Sequence, residues 1–420
     1  MRFRSTRSNS PTLTLSEAIQ MSLAPDGGLY VPESFPVFEI GDFDGLESWR
    51  EIGAKLLEPF FSGDMLHPQL DEICREAFNF PIPLNYIGDD TAVLELFHGP
   101  TAAFKDVGAR FLAACVSRLP GRRTVLVATS GDTGGAVAAA FHEHPEITVV
   151  ILFPKNKVSL RQQNQLTCWG DSVRAFAVRG DFDDCQRVVK TAFRNREWVE
   201  AQGLLSANSI NQGRILPQTV YYAAAGLWYF RQRGARPGFI IPTGNLGNAV
   251  AAFWTREMGL PVRQIILATN ANCAVPNYFA SGSWEPHQTI PTLANAMDVG
   301  NPSNIERLLH LHPEVSELRR IAQAFSVSDE EIASTIARGG TSWQQTWCPH
   351  TATAVHVRES LVGQHWVIVA TAHPAKFESV VEPLIREQLA VPPSLTKLLE
   401  KPSNFEEIDA EFAALAEALQ

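Results

Sequence analysis

The most constraining feature of this chain is a repeated pattern in which a short apolar run leads into a glycine-rich loop and a helix-forming segment. The run TVLVAT over residues 124–129 precedes SGDTGG and AVAAAFHEH, and GFIIPTGNLGNAVAAFWTREMG repeats this order between Gly238 and Gly259. ITVVILFP, RQIILATN and HWVIVATA are further apolar runs of strand length. Strands that alternate with helices form a parallel sheet covered on both faces. The sequence therefore predicts an α/β fold.

The organisation of the chain follows from its length of 420 residues. One hydrophobic core rarely grows to that size, so we expect two or three lobes with a cleft between them. An N-terminal domain is expected over residues 1–94, where proline and glycine interrupt the helical patterns. A core of two lobes would follow, roughly over residues 95–235 and 236–420. Apolar residues at helical spacing predict a helical insertion near residues 302–340.

Composition excludes several classes of protein. Hydrophobic residues make up 45% and charged residues 19% of the chain, as in soluble globular proteins. The formal net charge of −10 argues against a general nucleic-acid binder. No apolar run is long enough for a bilayer and no export signal is evident, so we expect a cytoplasmic protein. The six scattered cysteines contain no CxxC pair, which indicates reduced thiols and no metal site.

Two glycine-rich loops could bind anions at the start of helices. In SGDTGG, amides near Ser130, Asp132 and Thr133 can contact an anion, although a helix cap explains the segment equally well. GNLGN over residues 244–248 can form a cradle of N–H groups for a phosphate. Neither loop matches a dinucleotide fingerprint or a nucleotide P-loop. These loops favour a smaller ligand that carries a phosphate at one end and a carboxylate at the other.

Lys105 lies among apolar residues in HGPTAAFKDVGARFLA. An isolated lysine is usually a solvated surface charge. The neighbours Ala102, Ala103 and Phe104 favour a buried amine instead, and such an amine can lose its proton and attack an aldehyde.

Segments spread along the chain resemble the threonine synthase family. In chain order they are LAPDGGLYVPE, HGPTAAFKD, ATSGDTGGA, NSINQGRILPQ, PTGNLGNA, MDVGNPSNIERL and ATAHPAKF. The resemblance implies a fold-type-II pyridoxal-phosphate enzyme in which residues 95–420 form the catalytic core and residues 1–94 the family's N-terminal domain. It also implies conversion of O-phospho-L-homoserine and water to L-threonine and phosphate, the last step of threonine biosynthesis.

The resemblance further implies roles for individual residues. Lys105 would form the Schiff base with the cofactor, and the Thr371 hydroxyl would bind its pyridine nitrogen. The cofactor phosphate would be held by Gly244, Asn245, Leu246, Gly247 and Asn248. The substrate carboxylate would be bound by Ser130, Gly131 and Thr133.

Some positions depart from the pattern of the relatives. Related type-II enzymes often place an amide near the cofactor's 3′-oxygen, where this chain would place Asp132. A second negative charge beside a phenolate is unfavourable, so Asp132 is expected to be either protonated or turned away. Leu246 and Gln212 stand where the family tends to have an aromatic residue, and this leaves backbone functions intact. Cys348 stands where relatives often have an acidic residue.

The leaving phosphate needs cations, because a dianion is not desolvated without paired charges. Arg214, within the asparagine-rich NSINQGRILPQ, is the preferred candidate. Alternatives, which could equally form a solvated loop, are Lys155, Lys157 and Arg161. His350 and His373 are expected to be structural residues with hydrogen bonds rather than proton carriers.

Other functions stay open at the level of sequence. A related phospho-lyase would use the same cofactor residues but release 2-oxobutyrate and ammonia. A nucleotide-binding oxidoreductase could be built from the same strand, loop and helix units. A non-catalytic metabolite sensor could keep the fold, although an intact Lys105 counts against it. For the reading that the resemblance implies, we expect the small-molecule substrate O-phospho-L-homoserine and a monomer or homodimer that binds neither nucleic acid nor membrane.

Overall fold

Strands and helices alternate along most of the chain. The structure is a computed structural model that describes residues 1–129, 131–170, 172–363 and 365–419. In these ranges the strands are β1 (Phe3–Ser5), β2 (Tyr30–Pro32), β3 (Leu84–Ile87), β4 (Thr91–Glu95), β5 (Arg123–Ala128), β6 (Ile147–Pro154), β7 (Val173–Arg179), β8 (Leu204–Ser206), β9 (Gly238–Pro242), β10 (Ile265–Thr269), β11 (Ala322–Ser326), β12 (Trp366–Ala370) and β13 (Glu406–Asp409).

The helices precede, separate and follow these strands. They are α1 (Leu15–Met21), α2 (Trp49–Phe61), α3 (Leu70–Ala77), α4 (Lys105–Val116), α5 (Asp132–Phe141), α6 (Leu160–Thr167), α7 (Phe182–Arg194), α8 (Arg196–Gln202), α9 (Gln212–Ile215), α10 (Gln218–Arg233), α11 (Gly247–Glu257), α12 (Ala274–Ser281), α13 (Ile305–Leu311), α14 (Val315–Ile321), α15 (Asp329–Ser342), α16 (Pro349–Ser360), α17 (Glu378–Ile385), α18 (Pro393–Leu399) and α19 (Phe412–Ala418). Short 3-10 helices cover Ile40–Phe43, His67–Gln69, Asn295–Met297 and Pro374–Phe377.

The larger sheet has six strands in the order β11-β10-β9-β12-β4-β3. Its pairs are parallel except for β3, which runs antiparallel to β4. Every residue of β9, β10 and β12 is buried. Strands buried on both faces read as continuous apolar runs, which is why the sequence identified these three.

The smaller sheet has five parallel strands in the order β13-β7-β6-β5-β8. The apolar runs predicted at TVLVAT and ITVVILFP form β5 and β6, which are neighbours. The α/β fold predicted from the sequence is confirmed. In the described residues, no helix is long and apolar enough to cross a membrane.

The region predicted as a helical insertion contains a strand. β11 separates α14 from α15 and pairs in parallel with β10, so that Ala322 lies opposite Ile265. Only part of the stretch over residues 302–340 is therefore helical. Apolar spacing over five residues does not distinguish one helical turn from an edge strand, and here pairing with β10 decides the conformation.

The sheets divide the chain differently from the predicted lobes. The expected boundary at residue 94 falls inside β4, and β3 also belongs to the larger sheet. The C-terminal segment FEEIDAEFAALAEALQ, which looks like one acidic helix, forms β13 and a short α19. β13 joins the sheet of the first lobe, where Arg174 and Arg179 of β7 pair with Glu406 and Asp409, each at 2.8 Å.

Arg307 ties the N-terminal domain to the core. The side chain is fully buried on α13, and burial lowers its pKa to about 9. Its Nε donates to the Tyr30 carbonyl at 3.2 Å, and its Nη atoms donate to the carbonyls of Ser209 at 2.8 Å and Ile210 at 2.7 Å. A further bond at 2.5 Å reaches the Asn304 side chain. One guanidinium thus holds several chain segments together.

We predict that Arg307→Ala lowers the midpoint of urea unfolding and reduces the free energy of unfolding by about 3 kcal/mol or more, because buried carbonyl oxygens lose charge-assisted hydrogen bonds. Arg320→Ala, at an exposed position of α14, is the control. It should change stability by no more than about 0.5 kcal/mol. Equal effects of the two substitutions would contradict the anchoring role.

Candidate active site

Backbone hydrogen bonds fix the position of Lys105 against the end of β12. The Phe104 amide donates to the Thr371 carbonyl at 2.8 Å, and the His373 amide donates to the Ala102 carbonyl at 3.0 Å. Ala102 adopts a φ of 52°, a turn conformation that L residues rarely take. The turn lets Lys105 begin α4 beside Thr371, on the wall of one large cavity.

The Lys105 amine lies in a desolvated environment. Its side chain is accessible from the cavity, but protein surrounds the amine, and this burial lowers its pKa to about 8. Asp132 opposes the shift, whereas Arg214 and Lys376 add to it. At pH 7 roughly a tenth of such an amine is unprotonated, far more than for a solvated lysine, and the unprotonated form is the nucleophile.

The GNLGN loop forms another part of the cavity wall and leads into α11. Leu246 precedes the helix with a φ of 61°, and Gly244 packs against backbone. A Cβ added to Gly244 would lie 2.6 Å from the Cα of Met297, so only glycine fits this approach. The first turn of a helix leaves amides without intrahelical acceptors, and these favour an anion.

The asparagines of this loop shape it through their side chains. Asn245 donates to the Ser209 hydroxyl at 2.8 Å and accepts from the Ser303 amide at 2.6 Å. Asn248 accepts from the Thr243 hydroxyl at 2.7 Å and donates to the Pro242 carbonyl at 2.8 Å. Any contact of the loop with a phosphate would therefore come mainly from backbone amides.

Two further polar groups on the cavity wall lack partners among the described residues. The Thr371 hydroxyl is buried and unpaired. His350 accepts from the Ala296 amide through Nε2 at 3.1 Å, so in the neutral ring Nδ1 carries the proton, and this Nδ1 is also unpaired. Burial lowers the pKa of His350 to about 4, so the ring is neutral. Thr371 was predicted from the sequence, whereas His350 was expected to be structural.

The start of α5 brings Asp132 and Thr133 to the cavity. Gly131 precedes the helix with a φ of 140°, and its amide donates to the Thr129 hydroxyl at 3.0 Å. The Gly131 amide is thus already used within the turn rather than facing the cavity. Ser130 lies outside the described residues. Thr129, which the sequence did not single out, organises this turn and also accepts from the Gly134 amide at 2.9 Å.

Asp132 forms a buried ion pair that the sequence did not reveal. Its carboxylate lies 3.0 Å from the Lys376 amine, with exposed fractions of 5% and 1%. Burial raises the pKa of Asp132, but the charges of Lys376 and Lys105 outweigh this effect and hold the pKa below its ordinary value. Asp132 is therefore ionised, which argues against the first of the two expected alternatives, a protonated carboxyl, and leaves the second, a carboxylate turned away from the cofactor's 3′-oxygen.

Of the candidate cations, Arg214 lines the cavity. Its side chain is buried, which lowers its pKa to about 10, and it donates to the Ala207 carbonyl. Its Nε has no partner among the described residues. Lys155 pairs with Glu407 at 2.7 Å, and Arg161 lies 3.6 Å from the carboxylate of Glu378.

Those ion pairs argue against Lys155 and Arg161 as residues that bind the substrate phosphate. The described residues that line the cavity include neither Lys155 nor Arg161. Lys155 faces the C-terminal strand β13, and Arg161 donates to the Ala375 carbonyl. Both cations are thus directed to protein partners away from the cavity wall.

Comparison with known protein families places this geometry in context. Residues 88–371 match the family described as pyridoxal-phosphate dependent enzyme. Residues 2–78 match the threonine synthase N terminus, and residues 351–419 match the threonine synthase C-terminal family.

Full-length relatives agree with these matches. The threonine synthase of Escherichia coli is 37% identical over 422 residues, which cover 99% of this chain and 98% of the relative. The chain belongs to the threonine synthase family. The threonine synthase of Haemophilus influenzae is 38% identical, with 96% of each chain covered. The crystal structure of pyridoxal-phosphate-bound threonine synthase from Brucella melitensis superposes with a TM-score of 0.93 at 35% identity, covering 100% of this chain and 98% of that one.

The family and the cofactor predicted from the sequence are confirmed, and the chain is a pyridoxal-phosphate-dependent enzyme. The residues on the cavity wall fit that cofactor. Lys105 offers an amine for its aldehyde, the unpaired Thr371 hydroxyl suits a ring nitrogen, and the start of α11 suits its phosphate. The roles of individual residues stay predictions.

We predict that the rate of cofactor binding to the cofactor-free protein rises with pH and levels off above about 8. The unprotonated amine is the reactive form, so protonation below the pKa slows the reaction. Absorbance after mixing with pyridoxal phosphate gives the rate. A rate that continues to rise through pH of about 10, as for a solvated lysine, would contradict the desolvated site.

Proposed function

We propose that this enzyme converts O-phospho-L-homoserine and water to L-threonine and phosphate, with the cofactor attached to Lys105. The observation that supports this assignment is the desolvated Lys105 amine, which shares one cavity with the start of α11 and the unpaired Thr371 hydroxyl. Sequence identity over nearly the full length with threonine synthases supports the substrate and the product.

The bound cofactor supplies an electron sink for carbanion chemistry on the substrate. We assign its phosphate to the loop from Gly244 to Asn248, with Leu246 turning the chain into α11. The Thr371 hydroxyl would pair with the pyridine nitrogen and leave it without a positive charge, since a hydroxyl does not stabilise a pyridinium as a carboxylate does. An uncharged cofactor ring withdraws electrons from the substrate less strongly than a protonated one, which suits a reaction that avoids transamination.

Lys105 would have a second task when the substrate is bound. Its amine takes the proton from the α-carbon and later returns a proton to the same carbon, as a general base and then a general acid. A pKa of about 8 suits both directions of transfer near neutral pH. In the net change the C–O bond to phosphate breaks and the γ-carbon gains a proton to become a methyl group, while the β-carbon exchanges one of its hydrogens for a hydroxyl from water.

The substrate's anionic groups require separate partners. We assign its carboxylate to Ser130, Gly131 and Thr133, with backbone amides at the start of α5. Because Gly131 donates to Thr129 in this structure, Thr133 carries more of this role than the glycine. We assign the substrate phosphate to Arg214, whose guanidinium lines the cavity.

A phospho-lyase that releases 2-oxobutyrate is the second candidate, because it would need the same cofactor residues. Matches to both threonine synthase terminal families favour the synthase. We further propose a fold-type-II enzyme that works in the cytoplasm on a small molecule as a monomer or homodimer. All six cysteines are free, which supports a reducing compartment.

We predict that Lys105→Ala abolishes threonine formation while the protein keeps its fold, because the substitution removes the attachment site and the proton carrier together. The assay incubates cofactor-loaded protein with O-phospho-L-homoserine and identifies the amino acid, 2-oxobutyrate and phosphate released. Lys55→Ala, at an exposed position of α2, serves as the control and should retain activity. Substantial threonine formation by Lys105→Ala would overturn the role of Lys105, and 2-oxobutyrate as the main product of the unmodified enzyme would favour the phospho-lyase.

A further prediction concerns Arg214. Arg214→Ala should lower kcat/KM for O-phospho-L-homoserine by about tenfold or more, since a charge-assisted bond contributes roughly 1.5–3 kcal/mol. Arg214→Lys should retain only part of the original kcat/KM, because an ammonium does not make the planar two-pronged contact that a guanidinium makes with a phosphate. The spectral change on adding L-serine, which has no phosphate, should be nearly unaffected. Equal loss with both ligands would make Arg214 a structural residue.

A further inference from the structure

Lys376 is a buried charge that the proposed reaction leaves without a task. Its side chain is 1% exposed, and its amine lies 3.0 Å from the carboxylate of Asp132. Asp132 is on the cavity wall, whereas the described residues that line the cavity do not include Lys376. Desolvating two charges is costly, and such a pair is weak evidence for stability alone. A role beside the active lysine would account for it.

We propose that Lys376 is a positioning residue that engages the Asp132 carboxylate and thereby prevents it from capturing the Lys105 amine in an ion pair. The proposal rests on the proposed role of Lys105 as the attachment site of the cofactor. Lys376 acts through Asp132 and touches neither substrate nor cofactor. Its consequence is that the lysine at the cavity wall stays available as an unprotonated nucleophile.

Hydrogen bonds hold Lys376 in this place. Its amine donates to the Thr101 carbonyl at 2.7 Å. Thr101 is itself fixed by Asp106, whose carboxylate accepts from the Thr101 amide at 2.9 Å and from its hydroxyl at 2.7 Å. Thr101 and Asp106 flank Lys105 in the sequence. The lysine amine of Lys376 thus bridges the start of α5 and the segment that carries Lys105.

Asp132 has few other partners that could take its charge. The Gln162 amide group approaches it at 3.5 Å, which is a weak contact. Among the charged groups, Lys376 acts on it most strongly, followed by Lys105, while His350 is neutral near pH 7. Without Lys376, Lys105 would be the main cation left to compensate a buried carboxylate.

The charges that act on Lys105 come from several elements. Asp132 of α5 favours the ammonium form, whereas Arg214 of α9 and Lys376 disfavour it. Asp106, one residue away on α4, is occupied by Thr101. Replacing Lys376 with a neutral residue removes the ammonium that repels a protonated Lys105. It also frees the Asp132 carboxylate, which attracts a protonated Lys105. Both effects act in the same direction and retain the proton on Lys105.

The test uses cofactor-free full-length protein and pyridoxal phosphate. The rate at which the visible absorption band appears is measured across pH for Lys376→Met, Lys376→Arg and the double variant Lys376→Met with Asp132→Asn. For Lys376→Met we expect the midpoint of the profile to rise by about one pH unit or more, and the rate near neutral pH to fall about tenfold. Lys376→Arg should keep the original midpoint, and the double variant should return toward it.

Matched controls separate this effect from general damage. Lys397→Met removes an exposed lysine on α18 and should leave the profile unchanged. Circular dichroism and the thermal midpoint establish that each variant is folded. If Lys376→Met does not fold, Asp132→Asn alone decides, because removing the attracting carboxylate should lower the midpoint.

Each outcome has a definite meaning. An unchanged midpoint in folded Lys376→Met, or in Asp132→Asn where that variant decides, overturns the proposal. A Lys376→Arg profile that matches Lys376→Met also overturns it, because packing rather than charge would then explain the effect. Borohydride reduction followed by peptide mapping identifies the lysine that carries the cofactor, and so distinguishes failure of the Lys376 proposal from failure of the proposed function. Attachment of the cofactor to a lysine other than Lys105 would overturn the proposed function itself.

Discussion

The active region depends on the backbone hydrogen bonds that join the segment before α4 to the loop after β12. Phe104 donates to Thr371, and His373 donates to Ala102, so two segments far apart in the sequence hold each other in register. The contact places the Lys105 amine and the Thr371 hydroxyl on one cavity wall. Because β9 lies next to β12, the loop that follows β9 reaches the same wall. Position in the parallel sheet thus brings together the residues that we propose to bind the cofactor.

The charges of this region balance one another in a buried environment. Asp132, Lys105, Arg214 and Lys376 are charges whose interactions are strengthened by burial. Desolvation lowers the pKa of Lys105, and the surrounding cations reinforce that shift. His350 stays neutral for the same reason, which gives the site a hydrogen-bond donor without a further charge. The environment of the lysine is therefore a property of the whole cluster rather than of a single neighbour.

Sequence reasoning identified what is encoded locally. The apolar runs of β9, β10 and β12 and the GNLGN loop were found because continuous burial and glycine turns leave a direct pattern. Lys105 was singled out instead by its apolar neighbours and by the resemblance to the threonine synthase family. The Lys376–Asp132 pair escaped notice, since a lysine in an apolar motif does not indicate which carboxylate it will meet. β11 was missed for a related reason, as an edge strand of five residues has the same apolar spacing as one helical turn. Ion pairs likewise removed Lys155 and Arg161 from the site. Side-chain and strand pairings between residues distant in the sequence were therefore what local sequence patterns could not predict.

The last strand of the chain has a consequence for the order in which the molecule is completed. β13 covers the edge of β7, although more than two hundred residues separate them, and acidic side chains there face arginines of the first lobe. During synthesis on the ribosome, every other strand of that sheet is made long before residues 406–409 emerge. Until then β7 presents unpaired backbone groups that another chain could pair with. β13 therefore completes this sheet by covering its edge. A chain truncated before β13 would leave β7 as an exposed edge strand with which other chains could pair and aggregate.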